Sequence, residues 1–179
     1  LIEKRSITMS AHRFIYMLAG ILLLLSCGSD NNAPIDDPGN TTNHYLQLQP
    51  NGLNAIKVSC TEENFVFPFQ IKAVGNGSNQ GGEAQINSWS EDELKAYNNK
   101  EKTSYVLLPS SLYSLTSTEV SFKEGISTMD VEVKFNPSKV FAEFREKTVE
   151  YVIALKLSSD KIQVRDSQSR ILLSISFDY

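Results

Sequence analysis

The chain has 179 residues, of which 41% are hydrophobic and 21% charged, and its formal net charge at pH 7 is −4. This acidic balance argues against nucleic acid as a partner, because phosphate binding requires a basic surface. It also argues against attachment to an anionic membrane through a basic patch.

The first 26 residues have the pattern of a secretory signal peptide. Arg13 supplies a basic end, and an apolar run follows from Phe14 to Leu25. This run is too short to span a hydrocarbon core, which needs about 20 residues, but it suits the apolar part of a signal peptide. We therefore exclude residues 1–26 from the fold argument.

Residues 1–8 are predicted to be a mis-assigned start, with Met9 or Met17 as the true one. Removal of residues 1–26 takes away three of the 17 basic residues and one of the 21 acidic residues. The mature chain then has 14 basic and 20 acidic residues and a net charge of −6. Processing thus makes the chain more acidic and strengthens the argument against nucleic acid.

The signal peptide ends in a motif that predicts lipid attachment. Leu24, Ser26 and Cys27 supply an aliphatic residue, a small residue and a thiol in the three positions that a lipoprotein signal needs. The alternative is an ordinary signal peptide with a chance cysteine. Acylation of Cys27 would anchor the protein in a membrane through its lipid. Gly28 follows in place of aspartate, so we predict the outer membrane and leave the facing side open.

Residues 27–43 are predicted to form the lipidated cysteine and a flexible tether. Between Gly28 and Asn43 the one large apolar residue is Ile35, so this stretch cannot bury enough surface to fold. Residues 44–179 remain as one domain that is large enough for a core. Within it Cys60 is left without an intrachain partner, which excludes a disulfide framework.

Apolar residues in this domain recur mostly with a period of two, which predicts β-strands. One apolar and one polar face indicate antiparallel sheets with a solvated side. Eight or nine such runs predict an all-β fold, an immunoglobulin-like antiparallel β-sandwich. Pro68 inside a run indicates an edge or a bulge. The runs are 46–48, 56–60, 65–73, 84–86, 105–108, 120–122, 129–135, 151–157 and 171–177.

One short helix is predicted from Glu91 to about Tyr97. Ser90 is placed to cap it, and Glu93 stands three residues later, which completes a capping box. Trp89 and Leu94 occupy the two positions of a hydrophobic staple.

Five segments resemble a known family in their order and spacing. They are the helix 91–98 ending in Tyr-Asn, the Tyr-x-Leu-Leu-Pro strand 105–109, the Leu-Tyr-Ser-Leu segment 112–115, the strand 120–125 closing on glycine, and the strand 151–155. Together they resemble the immunoglobulin-like N-terminal domain of unknown function in Bacteroidetes surface lipoproteins. The resemblance covers residues 44–179.

The resemblance implies a setting at the outer membrane, among the products of glycan-utilisation loci. There the domain usually precedes a glycan-binding module or a chitinase-like endo-β-N-acetylglucosaminidase. The chain stops at Tyr179, just after its last predicted strand, so no activity of a second domain carries over. It is expected to be either a natural single-domain member or a gene fragment.

The residues give little support for catalysis, and we predict no enzyme activity, no metal and no cofactor. His44 is the sole histidine after processing, and no His/Cys/carboxylate cluster offers metal ligands. Asp130 and Glu132 weakly resemble the end of a chitinase-like acid motif, but on an alternating strand they point outward beside Lys134.

Sugar binding remains open, because exposed aromatic rings stack on the apolar faces of pyranoses. The candidates are Trp89, Tyr97 and Tyr113, and the asparagines Asn87, Asn98 and Asn99 lie close to them in sequence. For each aromatic residue the alternative is a packing role. Trp89 would then staple the helix, and the two tyrosines would occupy core positions.

Three classes of function follow. The first is a lipid-anchored accessory or glycan-binding component of a polysaccharide-utilisation system, partnered by other outer-membrane glycan-uptake proteins. The second is a structural spacer that binds nothing. The third is an adhesin or pilus-type subunit, which would need a donor strand or a proteolytic activation site. Solvent exposure of Trp89 discriminates between the first two.

Overall fold

The computed structural model describes residues 44–75, 81–144 and 149–178. The predicted signal peptide, Cys27 and the predicted tether lie outside the described residues. Within the described ranges, no helix is both long and apolar enough to cross a membrane.

The described residues form short strands, two helices and two single 3₁₀ turns, at Ser110–Leu112 and Asp166–Gln168. Helix α1 is Glu91–Glu101 and helix α2 is Pro137–Phe144. The strands are β1 Tyr45–Gln49, β2 Gly52–Ser59, β3 Phe65–Val74, β4 Gly82–Ser88, β5 Val106–Leu107, β6 Tyr113–Leu115, β7 Glu119–Phe122, β8 Thr128–Phe135, β9 Tyr151–Ser158, β10 Gln163–Val164 and β11 Arg170–Asp178.

The strands form two sheets that pack as a sandwich. One sheet has the order β10-β1-β3-β8-β6, and the other has the order β2-β11-β9-β4-β7 with β5 beside β9. Most pairs are antiparallel, but three are parallel, namely β1 with β10, β5 with β9, and β11 with β2, in which Leu172 lies beside Leu53. The predicted fold class, an immunoglobulin-like β-sandwich, is confirmed.

Strand β9 is buried on both faces, and this positions α1. The side chains of Ile153 and Leu155 belong to the main core between the sheets. The alternate residues Val152 and Ala154 lie in a second buried cluster with Trp89, Leu94 and Leu172. Because side chains alternate across a strand, this second cluster lies on the outer face of the sheet. The α1 segment covers that face.

Each predicted strand run overlaps an observed strand, although Cys60 lies just beyond β2, and Tyr105 and Leu108 flank the two-residue β5. Pro68 pairs with Glu132 of β8, whereas the last residue of β3 that pairs with β1 is Gln70. Strand β3 is therefore an interior strand and not the predicted edge strand, but Pro68 lies beyond the part of β3 that pairs with β1, so its missing N–H costs no hydrogen bond on that side.

The structure adds a second helix, α2, which the period-two analysis missed. Asn136 Oδ1 accepts hydrogen bonds from the backbone N–H of Lys139 (2.9 Å) and from the hydroxyl of Ser138 (2.8 Å). Pro137 occupies the first helical position, where its missing N–H costs nothing. The Asn-Pro pair was therefore a local start signal that strand periodicity does not reveal.

Candidate functional site

Helix α1 begins with the capping box that the sequence predicts. The backbone N–H of Glu93 donates to Ser90 Oγ at 3.3 Å, and the backbone N–H of Ser90 donates to Glu93 Oε2 at 2.8 Å. Trp89 and Leu94 lie in one buried cluster, as expected for a hydrophobic staple. The helix runs to Glu101, four residues beyond the predicted end.

Trp89 is a packed residue with 5% of its surface exposed. Its indole Nε1–H donates to the backbone carbonyl of Leu155 at 3.1 Å, and its backbone N–H donates to the carbonyl of Ala154 at 3.0 Å. Both N–H donors of Trp89 therefore have partners on β9. Its ring anchors the start of α1 to the sheet and offers little surface to a sugar.

Trp89 begins a row of three aromatic rings. The centroids of the Trp89 and Tyr97 rings are 5.6 Å apart, with an interplanar angle of 69°. The rings of Tyr97 and Tyr105 follow at 6.4 Å and 25°. Burial, and next the negative charge of Glu101, raise the pKa of Tyr97. Tyr97 is thus half-buried and packs against the cluster that contains Trp89.

Asn98 fixes the segment that carries Tyr105. Its Nδ2 donates to the backbone carbonyl of Tyr105 at 2.8 Å. Its Oδ1 accepts from the hydroxyl of Thr103 at 2.8 Å and from the backbone N–H of Tyr105 at 3.2 Å. The Tyr-Asn pair thus has a structural explanation, although α1 continues to Glu101, because the Asn98 amide ties the following turn back to the helix.

Tyr113 lies apart from this row, on β6 of the other sheet. Its side chain packs against the main core, and its hydroxyl oxygen is 2.7 Å from Ser88 Oγ. Asn87 is also engaged, since its Nδ2 donates to Ser158 Oγ at 3.0 Å. The structure therefore brings Trp89 and Tyr97 together and leaves Tyr113 elsewhere.

A groove of about 450 Å³ lies between α1, the start of β2 and the start of β11. Its apolar lining includes Trp89, Tyr97, Ala96, Leu172 and Leu53, the last with 48% of its surface exposed. Its polar lining consists of Glu93, Lys100, Glu101, Asp166, Ser167 and Arg170.

Helix α1 contributes residues at positions 93, 96, 97, 100 and 101 to this groove. Residues three and four apart share one face of a helix, so these five form a single wall. The staple at Trp89 and the capping box set the position of that wall against the sheet. The volume lies within the range of about 300–1,000 Å³ that is usual for small-molecule sites.

Arg170 covers one side of the Trp89 ring. Its guanidinium carbon lies 5.3 Å from the ring centroid, within the range of a cation–π contact. The guanidinium group carries five N–H donors, and stacking on a ring leaves its edge available for hydrogen bonds. Arg170 therefore combines a packing contact with a donor at the groove.

Glu93 is held as a charged group at the same wall. Lys156 Nζ donates to its Oε1 at 2.7 Å, and the Ser90 hydroxyl donates to its Oε2 at 3.1 Å. The hydrogen bond from Lys156, and next the one from the Ser90 backbone, lower the pKa of Glu93 below its ordinary value of 4.5. Glu93 therefore acts as an acceptor and not as a proton donor near neutral pH.

The arrangement suits binding through apolar contact and hydrogen bonds. Among the described residues, no group of three or more His, Cys, Asp and Glu side chains is placed to hold a metal ion. Sequence reasoning found Trp89 and Tyr97 but missed Leu53, Asp166 and Arg170. The helical spacing could have indicated the α1 wall, but the other three come together only through the pairing of β2 with β11.

A family model for an N-terminal domain matches residues 37–164, more than half of the chain. No curated protein matches the chain.

Solved structures with the same fold come from Bacteroides. A candidate carbohydrate-binding protein from Bacteroides ovatus is 15% identical with a TM-score of 0.61, and the match covers 74% of this chain and 36% of that one. A protein of unknown function from Bacteroides ovatus is 12% identical with a TM-score of 0.53, and the match covers 76% of this chain and 45% of that one. EndoBT-3987 of Bacteroides thetaiotaomicron, solved with a Man5GlcNAc product, is 17% identical with a TM-score of 0.55, and the match covers 74% of this chain and 31% of that one.

These likenesses confirm the predicted resemblance to an N-terminal domain found in Bacteroides proteins. At this level of identity the solved structures show a shared fold. The chain spans less than half the length of each of these three structures.

Proposed function

Because this chain belongs to the family of N-terminal domains whose model matches residues 37–164, we propose that it is a lipid-anchored accessory or glycan-binding component of a polysaccharide-utilisation system. Lipid attachment at Cys27 would hold it in the outer membrane, where other glycan-uptake proteins would be its partners. In this proposal the domain binds carbohydrate and has no catalytic role of its own.

The groove beside α1 is the observation that carries the binding part of the proposal. Its wall holds Tyr97, a partly exposed ring, and its opposite side holds Leu53, which is 48% exposed. The apolar C–H face of a pyranose fits such a surface, while Arg170, Asp166 and Ser167 supply donors and acceptors for its hydroxyls.

The fold supports the same proposal. A candidate carbohydrate-binding protein and EndoBT-3987, solved with a Man5GlcNAc product, both contain this fold within longer chains. A domain that recurs in such chains is suited to an accessory role in carbohydrate recognition.

A spacer is the second candidate, and the burial of Trp89 favours it. The most promising aromatic residue in the sequence is used to dock α1 and has 5% of its surface exposed. In this case the groove would bind nothing, and the domain would only separate a membrane anchor from its partners.

Affinity electrophoresis of the full chain against a panel of plant, host and microbial polysaccharides tests the proposal. Retardation by one glycan class is expected, and Leu53→Ser should reduce it at least threefold because the substitution removes apolar surface from the groove. Val66→Ser is the matched control, since Val66 is an exposed apolar strand residue in the other sheet. Migration unchanged by every polysaccharide would favour the spacer.

A further inference from the structure

The charged side chains around the groove compensate one another. Lys156 Nζ lies 2.7 Å from Glu93 Oε1, and Lys100 Nζ lies 3.4 Å from Glu101 Oε1. The lining leaves two further charges of opposite sign, Asp166 and Arg170.

Three acidic groups and three basic groups therefore meet at this site, counting Lys156 with its partner Glu93. The groove itself is electrically balanced, whereas the whole chain carries a net charge of −4. A negatively charged ligand would gain no net attraction from the groove and would be repelled by the protein around it.

From this balance we propose that the groove is selective for neutral saccharides, with Arg170 and Asp166 as its specificity-determining residues. The inference rests on the proposed glycan-binding function and names the class of sugar. A neutral pyranose presents hydroxyl groups that both donate and accept hydrogen bonds. The guanidinium of Arg170 offers donors to such hydroxyls, and the carboxylate of Asp166 offers acceptors.

An acidic sugar fits the same groups poorly. A uronate carboxylate accepts hydrogen bonds but cannot donate them, so Asp166 would face a like charge. In the lining Lys100 is engaged with Glu101, and the lining residue Glu93 is engaged with Lys156. Arg170 would be left to compensate the added charge while Asp166 and the two glutamates oppose it.

The position of Arg170 explains how it can serve as a donor without closing the groove. Its guanidinium lies over the Trp89 ring, 5.3 Å from the centroid, which limits the orientations that its side chain can adopt. The apolar contact with a sugar then falls to Tyr97 and Leu53, since the face of Trp89 towards Arg170 is covered.

A matched pair of polymers tests the proposal, namely polygalacturonate and the neutral galactan obtained by reducing its carboxylates, because the two share linkage and sugar configuration and differ only in the carboxylate. Titration calorimetry with the full chain is repeated with a second pair, neutral β-glucan and polyglucuronate. We expect at least tenfold tighter binding of the neutral member in the pair that binds. Arg170→Ala and Asp166→Asn should each weaken that binding about tenfold, while Val66→Ser should leave it unchanged.

Equal or tighter binding of the acidic member would overturn the selectivity and leave the glycan-binding function standing. Neutral binding that survives both Arg170→Ala and Asp166→Asn would also overturn the inference. Absence of binding to all four polymers, together with failure of the wider panel, would overturn both this inference and the proposed function. Asp166 and Arg170 are exposed, so circular dichroism of the variants should match that of the unaltered chain.

Discussion

The guanidinium carbon of Arg170 lies 5.3 Å from the centre of the Trp89 ring, on the face of the sheet that α1 covers. This contact joins the start of β11 to the residue that anchors the start of α1. It links two elements whose contacting residues are 81 positions apart in the sequence. The environment of the chain's one tryptophan therefore reports on this site.

Arg170→Ala should expose one side of the Trp89 ring to solvent. We expect a red-shifted emission maximum and stronger quenching by acrylamide, because the guanidinium no longer covers the indole. The loss of an exposed cation–π contact should cost about 0.5–1 kcal/mol of stability. Steady-state fluorescence and urea denaturation measure both effects, and Arg170→Lys should preserve part of each. Identical quenching in the two variants and the unaltered chain would contradict the contact.

Asn98→Ala should destabilise the domain by about 2 kcal/mol. The substitution removes three side-chain hydrogen bonds, each worth about 0.5–1.5 kcal/mol, and leaves backbone groups of Tyr105 without their partner. Urea denaturation followed by circular dichroism measures the loss. Asn99→Ala is the matched control, since Asn99 is the exposed neighbour and should change stability by less than about 0.5 kcal/mol. Equal effects of the two variants would refute this account.

Lys102→Gly should stabilise the domain by about 0.5–1 kcal/mol. Lys102 ends α1 in the left-handed conformation, with φ of 59° and ψ of 39°, which strains a residue with a side chain. Glycine relieves the strain, although part of the gain is lost to the greater freedom of the unfolded chain. Lys100→Gly, inside the same helix, should instead destabilise by about 1 kcal/mol. Thermal melts of the two variants should move in opposite directions.

The lowered pKa of Glu93 predicts a loss of stability in acid. A carboxylate with a lowered folded-state pKa stabilises the protein fully above its unfolded value, here 4.5, and loses that contribution as the pH falls through the folded value. The urea concentration at the unfolding midpoint, measured from pH 7 to pH 3, should therefore decrease once the pH is below about 4.5. Glu93→Gln should flatten this part of the curve.

Glu91→Gln is the control for this pH series, because Glu91 is exposed in the same first turn of α1. An acid limb that is as steep in Glu93→Gln as in Glu91→Gln would show that the pair of Glu93 with Lys156 does not contribute.

Cys27→Ser should abolish lipid attachment. The thiol of Cys27 is the predicted acceptor, and a serine hydroxyl cannot form the thioether. Metabolic labelling with an alkyne fatty acid should mark the unaltered chain and the Cys60→Ser control but not Cys27→Ser. Label retained in Cys27→Ser and lost in Cys60→Ser would contradict the prediction and show that Cys60 is the acylated residue.

Local patterns in the sequence were sufficient for much of the fold. Runs such as Met129 to Phe135 alternate strictly, and an alternating run packs as a half-buried strand wherever its partner lies. Ser90 and Glu93 act within one turn of helix, so their spacing alone predicts the capping box. By contrast, β6 and β10 have three and two residues and are too short to show a period.

The candidate site could be predicted only in part, because it depends on pairing between distant residues. Trp89 and Tyr97 belong to one helical segment, so their proximity follows from the sequence. Leu53 reaches the groove because β2 pairs with β11 and places it beside Leu172, 119 positions further along the chain. No local signal distinguishes this partner strand from the others.

The parallel pairing of β2 with β11 also constrains how the chain can fold. Within the described residues, β2 has β11 as its single strand neighbour, and a hydrogen bond joins the hydroxyl of Ser176 to the carbonyl of Ile56, 120 positions away. A loop of this length must close before the pairing contributes any stability, which slows folding. During synthesis β2 therefore emerges early and stays unpaired until β11 appears. The six-stranded sheet is completed only after β11 has been synthesised, and a chain cut before Arg170 would expose the edges of both β2 and β9.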